Sequence, residues 1–235
     1  MIITTFFILL MSISAIADGH VVQKPILNAR GIASNDLWHI VRERFSLPSM
    51  KGDPLVAKYI RLYSNNPEHL SRMLARARPY MHFLLSTTIQ RNLPSELVLL
   101  PVIESNYDPY AHSPAGARGL WQIMPSVASG YQLQIDDWRD DRRDIVFSTH
   151  TALRHLTYLH SRFNNWIYAL IAYNAGEGRV AKSLKEHYSH THLAPTLSQM
   201  SRNKESRNYV PKLLALRAII ANPKKYNVIL PRIKN

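Results

Sequence analysis

The hydrophobic rhythm of this chain is its strongest constraint. From about residue 36 to residue 222, breaker residues cluster between apolar runs, and no long stretch alternates apolar and polar residues. A half-buried strand needs that alternation, whereas these runs fit a helical period. The predicted class is therefore all-α. "NDLWHIVRERF" offers Asn35 as the N-cap of a helix carrying Leu37, Ile40, Val41 and Phe45. "DPLVAKYIRLYS" puts Pro54 in a first turn, with Leu55, Tyr59 and Leu62 on one face. Asn66-Pro67 opens a long amphipathic helix reaching about Asn92, kinked near Pro79. "LPSELVLLPVIES" is almost wholly apolar, which predicts a short buried helix whose last turn Pro101 disturbs.

Further on, "DDRRDIVFSTHTALRHLTYLHSRF" predicts a helix with Val146, Thr149, Leu153, Leu156, His160 and Phe163 on one stripe. "NWIYALIAYNAG" is a second buried helix, stopped by Gly176, and Glu177 to about His187 resumes. His190 to Ser198 reads as a loop, and a final helix covers residues 205–222 with Pro211 near its start. One dominant domain is expected over 67–222, after a small helical lead-in at 18–66 and before a tail at 223–235.

Composition bounds the compartment and the partners. Basic residues outnumber acidic ones 29 to 16, a net +13, which favours a polyanionic partner such as nucleic acid, acidic lipid or a cell-envelope polymer. Cysteine is absent, so disulfides, thiolate metal sites, cysteine nucleophiles and lipidation on cysteine are excluded. "MIITTFFILLMSISAIA" is apolar and ends in Ala15-Ile16-Ala17, the pattern of a secretory signal peptide over residues 1–17. No Lys or Arg stands near Met1, and an uncleaved anchor is the rival reading. If the leader is cleaved, no stable membrane insertion is expected. Export and dispersed Arg and Lys residues argue for a wall polymer over nucleic acid.

The stretch "ESNYDPYAHSPAGARGLWQIMP", Glu104 to Pro125, carries the chemistry. Glu104 stands where the buried helix gives out. A carboxylate leaving an apolar helix is partly desolvated, which disfavours its charged form and suits a general acid for glycoside cleavage. The bland alternative is a solvated helix-end glutamate. Asn106, Asp108-Pro109 and Ser113-Pro114 are turn formers, Gly116 and Gly119 permit close backbone approach, and Gln122 and Met124 add an amide and a soft contact. That is the lining of a polar groove. Asp108 is the nearest second carboxylate, but Asp-Pro is a common turn pair, which leaves one carboxylate and a substrate that supplies its own nucleophile. His187, His190 and His192 lie without a nearby acidic pair, so no metal is expected, and no cofactor motif is present.

These residues resemble the family 1 lytic transglycosylases of the soluble lytic murein transglycosylase type, most of all their membrane-bound type D branch. The likeness rests on three motifs in order: "ESNYDPYAHSPAGARGLWQIMP", "AYNAGEG" and "ESRNYVP", and it runs from about Asp36 to Pro231. It implies a lysozyme-like helical fold with a peptidoglycan strand lying across a groove. It implies Glu104 as the acid/base and Ser113 as a residue orienting the substrate. Gln122, Met124, Tyr173 and Asn174 would line the groove, and Glu205 and Tyr209 would contact sugar.

The activity implied is cleavage between N-acetylmuramic acid and N-acetylglucosamine with a 1,6-anhydro end, by a monomer in the periplasm or cell envelope. A hydrolytic muramidase on the same fold and a non-catalytic wall-binding scaffold are the alternatives. Type D relatives carry an acylated cysteine and LysM repeats. This chain has no cysteine and no such repeat before Asn235, so wall affinity is expected from the groove and the basic surface. Trp121 stands where many relatives have methionine.

Overall fold

The computed structural model describes residues 34–50, 52–189 and 204–235, with 25–27, Gly31 and the backbone of 16–17 and 20–21. The leader reading and the His190–Ser198 loop lie outside the described residues, as does the side chain of Glu205. Ile16–Ala17 pairs antiparallel with His20–Val21, Ile16 opposite Val21. Apart from isolated bridges, the other described regular elements are helices. The α-helices are α1 Leu37–Glu43, α2 Pro54–Ser64, α3 Pro67–Ala75, α4 Met81–Gln90, α5 Leu100–Glu104 and α6 Pro125–Gly130. They continue with α7 Ile145–Phe163, α8 Trp166–Ala175, α9 Glu177–Tyr188 and α10 Lys204–Ala221.

Side-chain caps set most of the starts. Asp53, Asn66, Asp144 and Asn165 each accept a backbone N–H from the first turn of α2, α3, α7 and α8. At α1 the cap is Asp36, not the expected Asn35, because Asp36 Oδ1 reaches the Trp38 N–H at 3.2 Å. The long helix expected from Pro67 is two helices. α3 stops at Ala75, and tight i→i+3 bonds at Arg76, Ala77 and Arg78 turn the chain before α4. Pro79 has no N–H, and its ring clashes with the carbonyl four residues back. A turn lets the chain change direction where a kink would only bend it.

The apolar run before Glu104 also divides, into a 3-10 helix Ser95–Leu99 and α5. Pro101 falls in the first turn of α5 rather than its last, a position where its missing N–H costs nothing. In α2 the buried residues are Val56 and Tyr59, whereas Leu62 is exposed. In α7 the inward face runs through Thr149, Ala152, Leu153, Leu156 and Leu159, and Val146 faces out. Pro211 stands well inside α10.

α10 is the central element. It packs against α2 on one side and α8 on another, and α8 in turn packs on α7 and α9. Its buried Val210, Leu213, Leu214, Leu216, Ile219 and Ile220 form the middle of the core. The amino-terminal helices join the same core, since α1 contacts α10, α4 and the 3-10 helix. The tail is tied in as well: Trp38 Nε1–H donates to the Pro231 carbonyl at 2.8 Å, and the Leu37 N–H donates to the Ile233 carbonyl at 3.0 Å. α5 and its 3-10 lead are wedged between these layers with Leu97, Val98, Leu99 and Leu100 fully buried. Burial of this kind stabilises by about 1.5–3 kcal/mol per large aliphatic side chain. Glu104 thus ends a helix whose position the whole core dictates.

Candidate active site

Directly after Glu104 the chain reverses. Asn106 and Tyr107 both adopt φ of 58°, a left-handed conformation that side chains with a Cβ rarely take. Burial of Tyr107 compensates. Its ring is 2% exposed, its hydroxyl donates to the Val98 carbonyl at 2.6 Å, and its N–H donates to Pro101. Burial pushes that phenol far above its ordinary range, so it stays a donor. The reversal frees the end of α5 to point into a pocket of about 310 Å³.

That pocket gathers Glu104, Ser113, Gln122, Met124, Tyr173, Asn174 and Tyr209 from four parts of the chain. Seven of the eight residues read from the sequence therefore share one cavity. Glu205 belongs to α10, but its side chain is outside the described residues. Glu104 is the one carboxylate among the described lining residues. Asp108 is not in the lining. It is exposed, and its Oδ1 accepts the Tyr110 N–H at 2.8 Å, an Asx turn.

One partner of Glu104 comes from α10. The Tyr209 hydroxyl donates to Glu104 Oε1 at 2.5 Å, and Tyr209 is only 4% exposed. Burial first, and the Glu104 charge second, hold the Tyr209 phenol well above the usual tyrosine range. Tyr173 is raised for the same two reasons, and its hydroxyl donates to the Trp121 carbonyl at 2.8 Å. Neither phenol can serve as an anionic base, and both act as fixed donors. Tyr209 orients the carboxyl, while Tyr173 pins the facing loop.

That loop, Ala111 to Met124, is built on short bonds. Arg118 pairs by isolated bridges with His112 and Ile123. The Ser113 Oγ accepts the Ala117 N–H at 3.0 Å, closing the Ser-Pro turn. Gln122, with φ of 48°, donates its amide nitrogen to the Ala111 and Gly119 carbonyls at 3.2 and 2.9 Å. The amide oxygen is the part left to meet a ligand. Ser105 Oγ–H donates to the Leu120 carbonyl at 2.8 Å, tying the loop to the end of α5. Trp121 is fully buried, its indole N–H donating to Thr149 Oγ1 at 2.9 Å.

Sequence reading missed what stands behind the loop. Arg142 is 4% exposed and pairs with Asp140 at 2.7 Å, while its Nη1 donates to the Gly116 carbonyl at 2.8 Å. The Arg142 hydrogen bond, outweighing burial, draws the Asp140 carboxyl below its usual range. Gly119, φ 79°, must be glycine, since a Cβ there would meet the Arg142 carbonyl oxygen at 1.8 Å. The "DDRRD" run was legible only as the acidic opening of α7. Arg179 of α9 and Lys212 of α10 also line the pocket and were not singled out. No three described His, Asp or Glu side chains are placed to hold a metal ion.

Comparison with known proteins gives a consistent picture. The family model described as "Transglycosylase SLT domain" matches residues 83–193. The chain is 38% identical over 197 residues to membrane-bound lytic murein transglycosylase D of Escherichia coli (strain K12), covering 83% of this chain and 43% of that protein. It thus spans less than half of that relative's length. It is 37% identical over 151 residues to a "Putative tributyltin chloride resistance protein" of Alteromonas sp. (strain M-1), covering 64% of this chain and 72% of that protein. Among solved structures, the 70 kDa soluble lytic transglycosylase of Escherichia coli superposes with a TM-score of 0.53 at 25% identity, over 78% of this chain and 32% of that one. The helical arrangement is that of its lysozyme-type transglycosylase fold.

Proposed function

Since the chain belongs to the family 1 lytic transglycosylases, we propose that it cleaves the β-1,4 bond between N-acetylmuramic acid and N-acetylglucosamine in peptidoglycan strands, leaving a 1,6-anhydro end. The observation that carries this reading is Glu104, the one carboxylate among the described lining residues, held by the buried Tyr209 hydroxyl in a polar pocket. Two-carboxylate hydrolysis needs a second acid across the sugar, and Asp108 is committed to a turn outside the lining.

One carboxyl can serve both half-reactions. Glu104 gives its proton to the bridging oxygen as the C1–O bond breaks, and the N-acetylglucosamine hydroxyl departs. Positive character at C1 is shared with the neighbouring acetamido oxygen. The C6 hydroxyl of the same sugar then bonds to C1, and Glu104, now a carboxylate, takes its proton. The carboxyl ends as it began, and no water enters the product. Tyr209 keeps Glu104 aimed throughout, because its phenol stays protonated. Ser113, Asn174 and the Gln122 amide oxygen are suited to hydroxyl and acetamido groups, and Met124 and the Tyr173 ring edge to sugar faces. Glu205 is assigned to sugar contact by family likeness alone. The working place is the cell envelope, reached through the apolar leader; among the described residues no helix is long and apolar enough to cross a membrane.

Glu104→Gln tests the reading. Shape is conserved but no proton can move, so turnover should fall by about 10⁴ or more, at or past the top of the range for one acid/base group. Asp108→Asn should lose far less. Mass spectrometry of digested sacculi reads both, with circular dichroism as the fold control. A folded Glu104→Gln chain that still releases anhydro ends would overturn the assignment.

A further inference from the structure

Trp138 is the most exposed large apolar side chain among the described residues, with 98% of its surface open. An indole in water is unfavourable, yet this one stands on a braced mount. It sits at the tip of a short hairpin in which Ile135 pairs with Asp140. Asp136 Oδ1 accepts the Trp138 and Arg139 N–H groups, each at 2.8 Å, and the Asp136 N–H donates to the Arg139 carbonyl at 2.8 Å. Below the tip, the Gln134 N–H donates to Asp141 Oδ2 at 2.8 Å and the Asp141 N–H donates to the Gln134 carbonyl at 3.0 Å. A tryptophan presented on so fixed a turn offers a large contact face at little cost in ordering.

The mount is fastened to the rim of the cleavage pocket. Asp140 is two residues from Trp138, its Cα at most about 7 Å away. It pairs with Arg118 at 3.5 Å and with Arg142 at 2.7 Å, and Arg142 Nη1 donates to the Gly116 carbonyl at 2.8 Å. Ala115 and Ala117, on either side of Gly116, line the cavity that holds Glu104.

Charge around the indole selects among occupants. Between Asp136 and Asp144 five aspartates stand against three arginines, a local acidic excess in a chain of net +13. Asp136, Asp137 and Arg139, beside Trp138, are all exposed. Anionic lipid is repelled by such an excess, and the cores of protein interfaces are depleted in aspartate. A neutral sugar fits both features: its C–H face stacks on the indole, while its hydroxyl edge meets carboxylates that accept and a guanidinium that donates. We infer that Trp138 is the platform of a second sugar subsite, outside the cleavage pocket, which takes an N-acetylglucosamine ring of the same strand. This rests on the peptidoglycan reading and adds to it a hold on strands long enough to pass over the rim.

The full chain carrying Glu104→Gln tests it without turnover. Of the four tryptophans, Trp38 and Trp121 are fully buried and Trp166 is half-buried against His160, so Trp138 is the one fully open to acrylamide. The probes are stem-free peptidoglycan strands of two lengths, a tetrasaccharide and a dodecasaccharide. Bound dodecasaccharide should shield Trp138 fluorescence from acrylamide. In calorimetric titration, Trp138→Ala added to Glu104→Gln should weaken the dodecasaccharide about tenfold, the worth of covering one large aromatic face, and the tetrasaccharide far less. Trp138→Tyr should keep most of the affinity. Circular dichroism checks the fold of each variant. Unaltered quenching with the dodecasaccharide bound, or undiminished affinity in Trp138→Ala, overturns the platform and leaves the glycan reading intact. Equal loss for both lengths would make Trp138 part of the pocket's own contacts and overturn the second subsite. Shielding by phosphatidylglycerol vesicles but not by strands would overturn it in favour of a membrane contact. Failure of both strands to bind a folded chain overturns the subsite and the glycan reading together.

Discussion

Tyr209 joins the centre of the core to the reacting group through one hydroxyl. The residue sits on α10, which the hydrophobic core fixes, and its O–H reaches Glu104 on α5. Family likeness implies a sugar contact for Tyr209, and its hydroxyl also donates to the Glu104 carboxyl. Tyr209→Phe keeps the ring and loses the donor. Hydrogen bonds to charged groups are worth roughly 1.5–3 kcal/mol, so kcat should fall by about tenfold to a hundredfold with little change in KM. Steady-state kinetics on soluble muropeptide oligomers decides it. A rise in KM at constant kcat would return Tyr209 to a sugar-binding role.

At the level of the element, the 111–124 loop is positioned by what lies behind it. Gly119 passes over the Arg142 carbonyl so closely that Gly119→Ala must move one backbone or the other. The clash and the left-handed φ together should cost roughly 3 kcal/mol or more, and the loop should lose its register even where the fold survives. Thermal melting and protection of the loop amides from hydrogen exchange would both report it, and an unchanged melting point would show that the loop has slack.

The same brace sets an acid limit. The Asp140 carboxyl is lowered in the folded state, mainly by Arg142, so its stabilisation is complete above the unfolded carboxylate value and lost as pH falls. His155, lowered by burial against the opposing pull of Glu177, follows the same sign from a higher starting point, beginning below the unfolded histidine value of about 6.5. Melting temperature should therefore decline first below about pH 6.5 and again in the carboxylate range. Asp140→Asn should flatten the second decline and leave the first.

For the whole molecule, the amino-terminal helices and α10 are locked together by one buried ion pair. Glu96 is fully buried, accepts the Ser46 and Leu47 N–H groups at 3.1 and 2.9 Å, and pairs with Arg217 of α10 at 2.9 Å. Arg217 also lies over the Phe45 ring, 5.0 Å from its centroid. Removing one partner of such a pair strands the other, which typically costs about 3–5 kcal/mol. Glu96→Ala should lose that much in denaturant unfolding, and Glu96→Gln less, because its amide oxygen can still accept. Since α10 carries Tyr209, the Ala variant should also slow the chemistry. A loss of stability without any change in turnover would show that α10 holds its place by other contacts.

Much of this protein was legible in its residues. Helical rhythm determined the class, Asp and Asn before prolines or apolar runs determined most helix starts, and three ordered motifs determined which side chains meet around Glu104. These are local properties: a cap, a period or a turn depends on residues within a few positions of one another. The tertiary structure decided what depends on distance in space. It broke the helix before Pro79 into two, turned Leu62 and Val146 to solvent, and chose Asp36 over Asn35. It also brought Tyr209 onto Glu104, Arg142 behind Gly116, and Arg179 and Lys212 into one cavity. A hydroxyl and a carboxylate 105 positions apart leave no mark in the pattern of either segment. Only the packing of α10 against the helices around it brings them within reach of a proton.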